Sequence, residues 1–165
     1  MLLSLAHINA KAPYLVSEYE DGSVCFITDK GVEYWISFIE ETNLGIPNAY
    51  QLVLMSGSNE KIAGTDHKIA ETVAAVLTSF FEDEEHVLFY VCDTADKHEA
   101  ARHRKFSHWF ERFSNAELAM NTEIIPVDEC TFFVSVIYRK NSNNEEFLLP
   151  LFHSYFRELR SKLDD

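Results

Sequence analysis

The residues best equipped for chemistry lie between Lys97 and Arg112. Lys97, Arg102, Arg104, Lys105 and Arg112 are opposed there only by Glu99 and Glu111, five cations against two carboxylates, a local charge of +3. Guanidinium and ammonium groups pair with phosphate and carboxylate oxygens, so this segment is a candidate anion-binding face. The plain structural alternative is a solvated helix face paired with an acidic surface. His98, His103 and His108 share the segment. A spacing of five residues turns each about 140° from the last around a helix, so no pair shares a face as i,i+4 metal ligands do. Adding Cys92 and Asp93 produces no recognised ligand spacing, and no metal is expected. Cys92 precedes a helix start that could lower a thiol pKa, but no nucleophile signature surrounds it. No catalytic residue is assigned.

A second place for an anion is the stretch from Asn59 to His67, polar and turn-prone, which runs from a strand into a helix. A helix N-terminus offers free backbone N–H groups and the positive end of the helix dipole. Gly57 and Gly64 supply its backbone freedom, and a mobile connecting loop is the bland alternative. Gly64 and Thr65 therefore join Lys97, Arg102, Arg104 and Lys105 as the candidate ligand-binding set.

Those residues need elements to carry them. Tyr14 to Glu20, Ser23 to Thr28, Val32 to Ile39 and Tyr50 to Met55 alternate or run apolar between turn pairs such as Asp21-Gly22, so they read as a meander of strands. The period then becomes helical: Ile69, Val73, Val76, Leu77 and Phe80 form one stripe, with Thr65 or Asp66 as N-cap. His86 to Cys92 is continuously apolar, the pattern of a strand covered on both faces. A helix from Lys97 to Phe113 follows, with Phe106, Trp109, Phe110 and Phe113 as its apolar stripe. After a short stretch with helical leanings (AELAM), Glu123 to Val127 and Thr131 to Arg139 are two further strands. Pro150 suits the first turn of a last helix whose core side is Leu151, Phe152, Tyr155, Phe156 and Leu159. The prediction is a single α+β domain over residues 1–165, in the order β-β-β-β-α-β-α-β-β-α. Its sheet is mixed but mostly antiparallel, with about six to seven strands and three main helices.

With 47% apolar and 25% charged residues, the chain of 165 has globular composition and length enough for a real core. Its net charge of −13 argues against generic nucleic-acid or anionic-membrane binding. With +3 inside the basic segment, −16 is left outside it, so only in that segment does the charge favour an anion. Cys25, Cys92 and Cys130, an odd number in strand-like runs, read as buried thiols of a reducing compartment rather than a disulfide framework. The first residues lack a basic signal-peptide start, and no run reaches the ~18 apolar residues of a membrane span. A cytoplasmic protein is expected.

Two resemblances emerge from these residues. Thr28, Gly31, Tyr34 and Phe38, then Cys92, Asp93, Arg102, Phe106, Trp109 and Phe110, resemble the pattern of a small family of bacterial domains of unknown function. That likeness would cover most of the chain and implies no activity. The order of elements from Ser23 to Arg139 also resembles the later part of the GNAT-type acetyltransferase fold. The resemblance implies that Lys61 to His67 would hold the pyrophosphate of an acyl-CoA. Of that family's glycine pattern the loop keeps Gly64 alone, and Lys97 to Phe113 has no tyrosine at the general-acid place.

No motif identifies a reaction. The leading expectation is a non-catalytic interaction module without a cofactor, binding a protein partner or a second copy of itself. The alternative is an acyl-CoA-binding N-acyltransferase-like protein, with acetyl-CoA as its ligand and activity not implied.

Overall fold

Asp66, where the apolar period lengthens from two residues to that of a helix, is the first fixed point of the architecture. A computed structural model describes residues 2–57, 66–92, 99–113, 117–127, 130–140 and 145–163. The elements are α1 (Leu5–Lys11), β1 (Ser17–Glu18), β2 (Val24–Ile27), β3 (Glu33–Glu40), β4 (Ala49–Ser56), α2 (His67–Phe80), β5 (Val87–Cys92), α3 (Glu99–Phe113), β6 (Leu118–Val127), β7 (Cys130–Arg139) and α4 (Glu145–Leu163). The fold is α+β, and the seven strands form one mixed, mostly antiparallel sheet in the order β1-β2-β3-β4-β5-β7-β6. The expected order is present, preceded by a helix that the sequence pattern does not announce. Val87 N–H donates to the Asn48 carbonyl at 2.9 Å, which sets the beginnings of β4 and β5 side by side.

The chain forms two compact units, Met1–Ile39 with Leu52–Asp83, and Glu40–Gln51 with Glu84–Asp165. In the first unit, β2 and β3 pair Val24 with Ile36 and Phe26 with Tyr34. All four side chains are buried on one face, because alternate residues of a strand point the same way. The predicted α2 stripe of Ile69, Val73, Val76, Leu77 and Phe80 is buried too, and Phe80 stacks on Phe38 with ring centroids 4.6 Å apart. The unforeseen α1 is only seven residues long, too short to show a period. Ser4 caps it through the His7 N–H, and the Ser4 N–H donates to Ser79 Oγ of α2 at 2.8 Å.

In the second unit β7 lies between β5 and β6, antiparallel to both. One face of these strands presents Val87, Phe89, Val134, Val136 and Tyr138 to Leu148, Phe152 and Phe156 of α4. On the opposite face Tyr90 stacks on Phe106 of α3 at 4.1 Å. The unbroken apolar run of β5 thus has a cover on each side, as its pattern predicts.

Three local expectations change. Leu118 to Met120, part of the stretch with helical leanings, are the first residues of β6 and pair with Arg139, Tyr138 and Ile137. Cross-strand pairing outweighs a weak local propensity there. Pro150 is inside α4 rather than in its first turn, because the helix already begins at Glu145. Within α4 the buried stripe is Leu148, Phe152 and Phe156, while Leu151 and Tyr155 are exposed.

Candidate functional site

The helix carrying the basic segment is oriented by its aromatic residues. Phe106 and Phe110, four apart, are buried on one side of the helix, so Arg104 and His108, two positions from Phe106, turn away from it. Arg104, Lys105 and His108 are exposed on α3. Lys105 Nζ sits over the Trp109 ring, 5.1 Å from its centroid, an i,i+4 cation–π pair. Lys105 is exposed as a residue, yet partial loss of water around its ammonium lowers its pKa. Arg104 and Lys105 are therefore both exposed on α3, with Trp109 beneath Lys105. Arg102 is in the same helix, its side chain outside the described residues, and Lys97, Gly64 and Thr65 also lie outside them.

Where the second anion site is expected, the N-terminus of α2 already holds a carboxylate. Asp66 is the N-cap, its Oδ1 accepting the Lys68 N–H at 2.9 Å. Its Oδ2 accepts the Tyr14 hydroxyl at 2.6 Å. Desolvation pushes the Asp66 carboxyl up, but the Tyr14 hydroxyl and the N–H groups of Lys68 and Ile69 outweigh it and hold the pKa below the usual carboxylate range. Tyr14 is raised by desolvation and by its bond to Asp66. The Tyr14 ring is buried in a stack with Phe26 and then Tyr34, at centroid distances of 5.8 and 5.2 Å. Lys68 Nζ lies 5.6 Å from the centre of the same ring and donates to Asp29 Oδ2 at 3.0 Å. Asp29 in turn donates its backbone N–H to the Tyr14 hydroxyl at 3.3 Å. Asp66 is one of the two caps that residue type suggests. Tyr14 is the residue that sequence reasoning misses, because a partner 52 positions away leaves no spacing signal.

Among the described residues no group of three His, Cys, Asp or Glu side chains is placed to hold a metal ion. No helix among them is long and apolar enough to cross a membrane. Cys25 is a free thiol and half-buried, not buried as its apolar run suggests. The side chains of Cys92, Cys130, His98 and His103 lie outside the described residues.

One family model, a family of unknown function (DUF6169), matches residues 65–154, more than half of the chain. Cys92, Asp93, Arg102, Phe106, Trp109 and Phe110 fall within that span, while Thr28, Gly31, Tyr34 and Phe38 precede it. No curated protein matches the chain, and no solved structure matches it.

Proposed function

The chain belongs to this family of unknown function, and from that premise we propose that it is a non-catalytic interaction module that binds a protein partner. The observation that carries the reading is the Asp66 cap. A phosphate seated on the first turn of α2 would compete for the Lys68 amide that the Asp66 carboxylate already occupies. At about 4 Å, two like unit charges repel by roughly 4 kcal/mol at an effective dielectric of 20. The cap thus opposes the ligand that the acyl-CoA alternative needs at this place. A free Cys25 thiol fits a reducing, cytoplasmic setting.

Thermal unfolding with acetyl-CoA tests the reading. A ligand at a hundred times its Kd stabilises the native state by about 2.7 kcal/mol. In a chain of this size that raises Tm by on the order of 5–10 °C. The module reading expects no rise, and a rise of that size would overturn it.

The second reading, an acyl-CoA-binding N-acyltransferase-like protein, is favoured by the element order and by β4 and β5 starting side by side. A rise in Tm with acetyl-CoA, absent with the pantetheine arm alone, would support it.

A further inference from the structure

We propose that the solvent-facing side of the sheet in the first unit docks a basic amphipathic helix of a protein partner. This rests on the interaction-module reading and adds the place and the partner's chemistry. The register fixes which side chains share that face. Cys25 is opposite Trp35, and Ile27 is opposite Glu33. Gly57 N–H donates to the Glu33 carbonyl at 2.8 Å, so counting along the antiparallel pair sets Met55 opposite Trp35 and Val53 opposite Ser37. Ile39 has the same parity as Trp35. The opposite face of this sheet carries Phe26, Tyr34, Ile36 and Phe38, and α2 packs there through Phe80.

The outward side chains are large and wet: Ile27 is 61% exposed, Met55 56% and Ile39 54%. Single exposed apolar residues are ordinary, but several on one sheet face make a patch of the kind that marks an interaction site. A platform is already built within it. The Trp35 ring lies against Gly57, where an added Cβ would come within 3.3 Å of a ring carbon. Trp35 Nε1 donates to the Tyr19 hydroxyl at 3.4 Å, which donates to Glu33 Oε1 at 2.9 Å. The indole is therefore held in place, with a carboxylate beside it.

Charge selects the occupant. Over Met1–Ile39 and Leu52–Asp83 there are four Lys against ten Asp and Glu, a net −6. An anionic membrane or nucleic acid is repelled by that field, and so is the same face of a second copy. A partner with apolar side chains on one side and Lys or Arg along its flanks meets both features. A helix suits because the sheet already packs a helix on its other face, and two packed layers are how such elements bury apolar surface.

The test uses the full chain and a synthetic helical peptide of roughly 18 residues, leucine on one face and lysine on the others, with a glutamate-for-lysine counterpart. Isothermal titration on the wild type, and Trp35 emission in a Trp109→Phe background, report binding. The expected result is micromolar binding of the basic peptide, a blue shift, and weakening by about tenfold in Ile39→Lys and in Met55→Lys at unchanged Tm. No binding, equal binding of the acidic peptide, or no effect of either substitution would overturn the docking site. Concentration-dependent dimerisation abolished by the same substitutions would overturn it too, in favour of self-association. Loss of peptide binding with acetyl-CoA still inert removes this inference alone, whereas an acetyl-CoA shift removes the module reading beneath it.

Discussion

Tyr14 donates its hydroxyl to Asp66 at 2.6 Å, and Asp66 caps α2 through the Lys68 N–H at 2.9 Å. A residue from the N-terminal segment thus completes a helix cap 52 positions further on. The Tyr14 backbone strengthens the tie, its N–H donating to Thr72 Oγ1 of α2 at 3.3 Å. The cap is a tertiary device as much as a local one.

This predicts that Tyr14 and Asp66 act as a pair. Removing the hydroxyl in Tyr14→Phe leaves the ring stack in place and should cost about 1.5–3 kcal/mol, the value of a hydrogen bond to a charged group. Asp66→Ala should cost about 0.5–2 kcal/mol as a lost N-cap, plus the lost Tyr14 bond. Urea unfolding of both single variants and the double variant gives the coupling, expected at about 0.5–3 kcal/mol. Strict additivity would mean that the contact contributes nothing to stability.

The same cluster predicts opposite pH limits. The folded pKa of Asp66 is depressed, so its contribution is present above the ordinary value of 3.8 and is lost as pH falls through the lower folded value. Tyr14 and Lys68 are both raised, Tyr14 by desolvation and Lys68 by Asp29. Their contributions are full below 10.0 and 10.5 and are lost as pH rises through the raised folded values. Thermal melts across the acid limb should therefore fall less steeply in Asp66→Asn than in the wild type. On the alkaline limb Lys68→Met should remove the corresponding part of the loss. Parallel curves for variant and wild type on either limb would refute that half of the prediction.

Part of this architecture is legible in the sequence and part is not. The stripe from Ile69 to Phe80 and the doubly covered β5 are legible because each is written in spacing, and residue type narrows the α2 cap to Thr65 or Asp66, of which the structure uses Asp66. The outward position of Arg104 and Lys105 follows from the same helical period once Phe106 and Phe110 face the sheet. The start of β6 was hidden because its residues favour a helix locally, and only pairing with β7 makes them a strand. In α4 the apolar residues crowd adjacent positions, so the pattern does not say whether Leu148 or Leu151 turns inward. Tyr14 and the exposed apolar face share a cause: both are defined by strand register and by partners distant in sequence.

A last prediction concerns the polar step between β6 and β7. Thr122 is paired with Ser135, and their hydroxyl oxygens are 2.8 Å apart. Ser135 is fully buried at 0% exposure, in a strand otherwise lined by Val134, Val136 and Ile137. Thr122→Val keeps the shape but leaves the Ser135 hydroxyl without this partner, a desolvation cost of about 1–3 kcal/mol. Ser135→Ala strands the Thr122 hydroxyl less severely, because Thr122 is only half-buried and water can reach it. The double variant Thr122→Val with Ser135→Ala removes both polar groups and should recover most of the loss. Chemical unfolding of the three variants checks the order, with Thr122→Val least stable. If the double variant were as unstable as the two single losses combined, the hydroxyls would not be acting as a mutually satisfied pair.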